Sequence, residues 1–253
     1  GTLSLLVTYM SKRDLLVRLR SRTMGDAVLV ASAWVLLLLF GIIGAVLNSA
    51  WSSRDLLAIP HFVAIVLIGS FASGWTYCML FICRSLSVMI DRFCCELMNA
   101  PDLAQAMKNW NILQAVMLKA SGSIELSFIA MLLALAFAVP LLLADFLTLG
   151  ASWAALPSVV PVVLTMSLFV RAFFVAASIT DKCARVPALV NSLCFGPGTE
   201  QPRQLLVEYI SGSDAGFYVC DIRLTIGMAL KFMYMWCIVG FGVATNVLTQ
   251  AGT

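Results

Sequence analysis

Charge thins to one residue at most in five stretches of the chain, each about as long as a helix that crosses a ~30 Å hydrocarbon core. They are Ala27 to Leu47; Ile59 to Cys83, opened by Pro60 as suits a first helical turn; Leu126 to Leu149, holding Pro140 and Asp145; Ser158 to Ile179, holding Arg171; and Leu224 to Leu248, holding Lys231. About five membrane-spanning helices are predicted, spans I to V. The expected fold class is all-α, a polytopic transmembrane helix bundle forming a single membrane domain over 1–253.

Helical spacing does not lapse between spans II and III. Leu86, Met89, Ile90, Phe93 and Leu97 recur on one face, with Asp91, Arg92 and Glu96 on the other. Span II is therefore expected to continue to about Met98 and to turn at Asn99-Ala100-Pro101. Leu103, Met107, Trp110, Leu113, Met117 and Ile124 then resume the spacing and run into span III. At 1.5 Å per residue this pair makes a hairpin reaching roughly 20 Å beyond the membrane. Span IV is expected to overrun through Lys182 and Arg185 as far as Pro187 and Gly196-Pro197-Gly198. Gln201 to Ile210 reads as a short amphipathic helix, and Ser211-Gly212-Ser213-Asp214 as a turn. Residues 84–125 and 180–222 would thus form a helical anchor outside the bilayer.

Composition agrees with a lipid solvent. Of 253 residues 61% are hydrophobic and 11% charged, and the mean hydropathy is +0.97. A water-soluble domain of this size needs far more charge on its surface. The position of the charges says more than the net +3. Lys12, Arg13, Arg18, Arg20 and Arg22 precede span I; Arg84, Arg92, Lys108 and Lys119 join II to III; Lys182, Arg185, Arg203 and Arg223 join IV to V. The opposite connections, Asn48 to Ala58 and Gly150 to Pro157, hold Arg54 alone. The positive-inside rule places the anchor in the cytosol and the C-terminus outside or in a lumen. The chain opens at Gly1 with the apolar run to Met10, which reads as the tail of an earlier segment, so a longer or trimmed protein is expected. The first apolar stretch lacks a charged leader and cleavage site.

Few residues could carry chemistry. The eight cysteines include no C-x-x-C pair, and His61, the single histidine, lies far in sequence from all of them. No metal site and no cofactor is expected, and the thiols read as reduced, packed hydrophobes. Phosphate loops, Ser–His–Asp order and acidic metal motifs are missing, so no catalytic residue is assigned and the chain does not read as an enzyme. No basic run with interleaved aromatics suggests nucleic acid. Arg171 and Lys231 stand about 10 Å inside their spans; each either snorkels or pairs at the cytoplasmic rim, or else lines an aqueous path. His61 and Asp145, near outer span ends, are ligand-binding candidates or else interfacial groups. Trp51 and Trp153 suit interface anchors, and Trp75 an anchor or a core aromatic.

Span V offers the most. Met235, Ile238, Gly242, Thr245 and Thr249 follow Lys231 along one helical stripe. Such a face, apolar in the middle and polar outside, suits a pore with an apolar constriction; the same small residues also suit close helix packing. Lys231 would face a cation path unless its side chain points away from the axis, which is expected, or Asp221 offsets it.

The stretch Gly216-Phe217-Tyr218-Val219-Cys220-Asp221-Ile222-Arg223-Leu224, leading into Met233-Tyr234-Met235-Trp236-Cys237-Ile238-Val239-Gly240-Phe241, resembles the end of the insect gustatory receptors. Their last helix carries Thr-Tyr, five apolar residues and Gln-Phe. Here Tyr234 and Phe241 stand in place, while Met233 replaces the Thr and Gly240 the Gln, as in a divergent gustatory receptor-like protein. Spans I to V would match the last five of that family's seven helices. The resemblance implies a homotetrameric, ligand-gated cation channel of chemoreception in the plasma membrane. It implies a last helix lining the pore and a small-molecule ligand held among the helices on the outer side. The residues alone leave a solute transporter and a non-conducting scaffold subunit open.

Overall fold

The computed structural model describes residues 13–51, 55–99, 102–149, 156–193 and 200–251; near several helix ends, only the backbone is described. These residues form α1 (Arg13–Trp51), α2 (Asp55–Asn99), α3 (Leu103–Leu149), α4 (Leu156–Ser192), α5 (Glu200–Gly212), β1 (Tyr218–Val219), β2 (Ile222–Arg223) and α6 (Ile226–Ala251). The protein is all-α apart from one small hairpin. Four of the described helices are long and apolar enough to cross a bilayer: Thr23–Gly44, Val66–Asn99, Leu103–Val139 and Val159–Ser192. It is a multi-pass membrane protein embedded in lipid. In the fifth expected span, the described apolar stretch covers Ile226–Ile238.

The chain folds as two compact units, and the long helices pass from one to the other. Unit 1 takes Leu80–Leu126 and Phe173–Ala229, with the described residues up to Met24. Its core holds the stripe anticipated from spacing: Leu86, Met89, Ile90, Phe93 and Leu97 of α2 are buried with Trp110, Leu113, Met117 and Ile124 of α3. Ile179, Cys183, Val186 and Val190 of α4 and Leu206 and Ile210 of α5 complete it. Asp102 starts α3, its Oδ1 accepting from the backbone N–H groups of Ala104 and Gln105 at 3.1 Å each. Between α2 and α4, Lys182 Nζ donates to Ser87 Oγ and Asp91 Oδ1, both at 2.7 Å.

Two features of unit 1 need a physical account. α4 overruns as expected, passing Pro187 and ending at Ser192, between the two stops read from the sequence. Proline removes one helical hydrogen bond, but Val186 and Val190 are buried on either side of it, and packing of that face carries the helix through. The second is the hairpin of β1 and β2, with Tyr218 opposite Arg223 and Val219 opposite Ile222. Its turn residues, Cys220 and Asp221, have φ of 51° and 58°, the left-handed pair that a two-residue type I′ hairpin requires. The hairpin is closed by one bond of its own and pinned from outside by two. Phe217 donates its N–H to Thr180 Oγ1 at 2.9 Å, Leu224 to the Phe217 carbonyl at 2.8 Å, and Cys220 to Glu125 Oε1 at 2.9 Å. A Cβ on Gly216 would come within 3.1 Å of Thr180 and 3.0 Å of Arg223 Nε, so a larger residue there would require those side chains to give way by a few tenths of an ångström.

Unit 2 takes Gly25–Met79, Ser127–Ala172 and Leu230–Thr253. Val30, Ala33 and Leu37 of α1 turn inward, while Val28, Val35, Leu39 and Ile42 are exposed apolar side chains suited to lipid. Trp34 Nε1 donates to Ser70 Oγ at 3.0 Å, joining α1 to α2. Phe128, Phe169, Phe232 and Trp236 form a chain of rings with centroids 6.0, 6.4 and 6.0 Å apart, linking α3, α4 and α6.

Candidate functional site

α6 is uncovered along the stripe that the sequence singles out. Ala229 is buried and Phe232, Met233 and Trp236 are half-buried on one side of the helix. On the other side Tyr234 is 69% exposed, Met235 62%, Ile238 53% and Phe241 73%. Lys231, Gly242, Thr245 and Thr249 are exposed as well. A Cβ added to Gly242 would meet nothing within 4 Å, so no neighbour within the chain requires a glycine there. The hydroxyls of Thr245 and Thr249 donate back to the carbonyls of Gly242 and Thr245 at 2.9 and 3.0 Å, which keeps the helix self-satisfied while its face stays open. Met235, Ile238, Gly242, Thr245 and Thr249, the five residues expected to line a pore, are thus all exposed on one side of α6, together with Tyr234 and Phe241.

A second feature of unit 2 is a cleft of about 360 Å³ among α1, α2, α3 and α4, within the usual range of small-molecule sites. Leu37, Ile68, Ala72, Met131, Leu135 and Thr165 are among the residues that line it. The Thr165 hydroxyl is already spent on the Pro161 carbonyl, at 2.8 Å, so the wall offers apolar contact and little else. His61 and Asp145 fall on helices, α2 and α3, but their side chains lie outside the described residues, as does all of Trp153.

Arg171 neither snorkels alone nor lines this cleft. Its Nη2 and its Nε, the latter at 3.0 Å, both donate to Asp26 Oδ1 across α1 and α4. Asp26 is 2% exposed and Arg171 38%. A carboxylate that deep is tolerable only with a charge-assisted partner. Arg171→Gln is expected to destabilise the protein by about 1–2 kcal/mol, a charged hydrogen bond discounted for the exposed guanidinium. A double-mutant cycle with Asp26→Asn in thermal unfolding checks this; strictly additive losses would show that the pair contributes nothing.

Cys220 is exposed at the hairpin tip. Desolvation, the hydrogen bond to Glu125 and the charges of Glu125 and Asp221 all push its thiol above its ordinary value, which disfavours the nucleophilic thiolate. Among the described residues no group of three His, Cys, Asp or Glu side chains is placed to hold a metal ion. No protein-family model and no curated protein matches the chain. The functional reading therefore rests on this geometry and on the resemblance carried by α6 and the segment before it.

Proposed function

We propose that the protein is a subunit of a chemoreceptor-like, ligand-gated cation channel related to the gustatory receptors. Four copies would surround an axis lined by α6, and the site performs no catalysis. The observation that carries this reading is the open stripe from Lys231 to Thr249, which keeps helical register and ends in hydroxyls. An apolar face with a wetted outer end is what a pore gated by dewetting requires. The apolar cleft of unit 2 supports the ligand half of the proposal: its lining favours a largely apolar small molecule. The Gly216-Phe217 and Cys220-Asp221 positions, which carry part of the resemblance, each have a backbone reason for their place just before α6.

Reconstitution of the purified protein into a planar bilayer tests the proposal. Unitary cation currents are expected, and particle images should show four copies about one axis. The buried Asp26–Arg171 pair favours a second reading, a solute transporter with charges held among its helices. Substrate flux without unitary steps would decide for that reading, and neither currents nor flux would leave a scaffold subunit.

Topology has its own test. The positive-inside count predicts cytoplasmic exposure at Asn99 and Gly198 and outside exposure at Ser152 and Thr253 of a plasma-membrane protein. Single cysteines at each position, in a cysteine-free background, are treated with an impermeant maleimide on intact cells. Labelling is expected at Ser152 and Thr253 alone, and reaction at Gly198 would overturn the orientation.

A further inference from the structure

A second pocket lies wholly within unit 1. It measures about 360 Å³ and is lined by α3, α4, the end of α5 and the segment leading into α6. Trp110, Pro187 and Ile210 give it an apolar wall, Ser211 a hydroxyl, and Asp214 and Arg223 its charged residues. The guanidinium is poorly satisfied. Nη2 donates to the Ala215 carbonyl at 3.0 Å, while Nη1 reaches Asp214 Oδ1 only at 3.7 Å, beyond hydrogen-bond distance. Nε is buried with no acceptor, and a Cβ added to Gly216 would stand 3.0 Å from it. Asp214 is 80% exposed, so water screens what attraction it has for Arg223. A buried donor left unmet is uncommon and costly in folded proteins, and here it belongs to a planar cation at the edge of a cavity.

We propose that this pocket binds a small organic anion, with a carboxylate or phosphate group on Arg223 and an apolar body against Trp110, Pro187 and Ile210. Nη1, with no acceptor nearer than Asp214 Oδ1 at 3.7 Å, and the second N–H of Nη2 are the donors left for such a group, and arginine binds carboxylates and phosphates best through paired N–H groups. Neutral molecules of the same shape forgo that contact and leave the donors unmet. The anionic group comes from a soluble molecule or from an anionic lipid headgroup, and the site's chemistry is the same for both. Binding here is independent of whether α6 conducts, so its test does not depend on channel activity.

Titration of the whole protein in detergent with 4-bromobenzoate and with 4-bromophenyl phosphate, read by quenching of tryptophan fluorescence, tests the site. A parallel arm uses phosphatidylcholine nanodiscs with and without brominated phosphatidylinositol 4-phosphate. At least one anion is expected to quench saturably, and 4-bromobenzamide is not. Arg223→Gln is expected to weaken binding about tenfold or more, the loss of a charge-assisted contact. Ala188→Leu, a change at an exposed position on the pocket wall, is expected to weaken it comparably by filling the space. Should Arg223→Gln fail to fold for want of its bond to Ala215, Ala188→Leu decides alone. Saturable quenching in the lipid arm only, and sensitive to these changes, would identify a headgroup as the source. No saturable quenching by any anion, or quenching unchanged by Ala188→Leu, would overturn the proposal.

Discussion

Replacing Trp110 by alanine is expected to destabilise the protein by about 3–5 kcal/mol, the usual loss for a large aromatic removed from a core. The indole is fully buried in unit 1, and its ring centroid lies 5.2 Å from that of Phe93 on the neighbouring helix. Its Nε1–H donates to Ser213 Oγ at 2.9 Å, while Gln114 Nε2 donates to the Ser213 carbonyl at 2.7 Å. Trp110 therefore fastens α3 both to α2 and to the turn after α5. Trp110→Phe keeps the ring contact and loses the hydrogen bond, so about 1 kcal/mol is expected. Apparent Tm in detergent at a fixed scan rate measures both, with a drop on the order of 10 °C for the alanine variant. Equal Tm for Trp110→Ala and the parent protein would mean that unit 1 is not held by this core.

The part of unit 1 legible in the sequence is the part governed by periodicity. Leu86 to Leu97 and Trp110 to Ile124 could be assigned a buried face because every turn of each helix repeats the same choice between apolar and charged residues. The hairpin after α5 gave no such signal. Strands of two residues cannot show alternation, and Cys220-Asp221 lacks the glycine that usually marks a left-handed turn. Its order comes from Thr180 and Glu125, distant in sequence. Between Pro187 and the Gly196-Pro197-Gly198 breaker the sequence leaves the end of α4 open; burial of Val186 and Val190 carries the helix past the proline. Pairing is one of the readings open to Arg171, but nothing local names Asp26 as the partner, since the two residues stand 145 positions apart. The clefts are properties of shape, which no spacing announces.

For the candidate site the balance is different. The stripe on α6 could be read from spacing alone, since 231, 235, 238, 242, 245 and 249 share a face on any straight helix. Spacing did not say whether the rest of the chain would cover that face. Ala229, Phe232, Met233 and Trp236 lie on the side of the ring chain through Phe169 and Phe128, and this leaves Tyr234, Met235 and Ile238 outward. A packing helix of a self-contained bundle would be expected to bury both sides. The open face asks for an occupant, and lipid, a second copy and water differ in what a polar substitution there would do.

Ile238→Ser is the substitution that separates them, and on the proposed reading it is expected to raise basal conductance several-fold. Ile238 lies in the apolar middle of the stripe, between Lys231 and the hydroxyls of Thr245 and Thr249. A ring of four isoleucines at a narrow point excludes water, and a ring of serines admits it, so the closed state would leak. Val239→Ser adds the same hydroxyl one residue on, about 100° around the helix, and is expected to change the current far less. Lys231 is exposed on the same stripe, about two turns before Ile238. If its ammonium groups face the axis they oppose cation entry, and Lys231→Gln should raise cation current and selectivity; if they point away, Lys231→Gln should leave both unchanged. Were lipid the occupant, Ile238→Ser would only weaken membrane insertion slightly, with no conductance at all. Currents from the assembled protein carrying each change distinguish these outcomes, and if neither Ile238→Ser nor Lys231→Gln alters conductance or selectivity, α6 lines no pore.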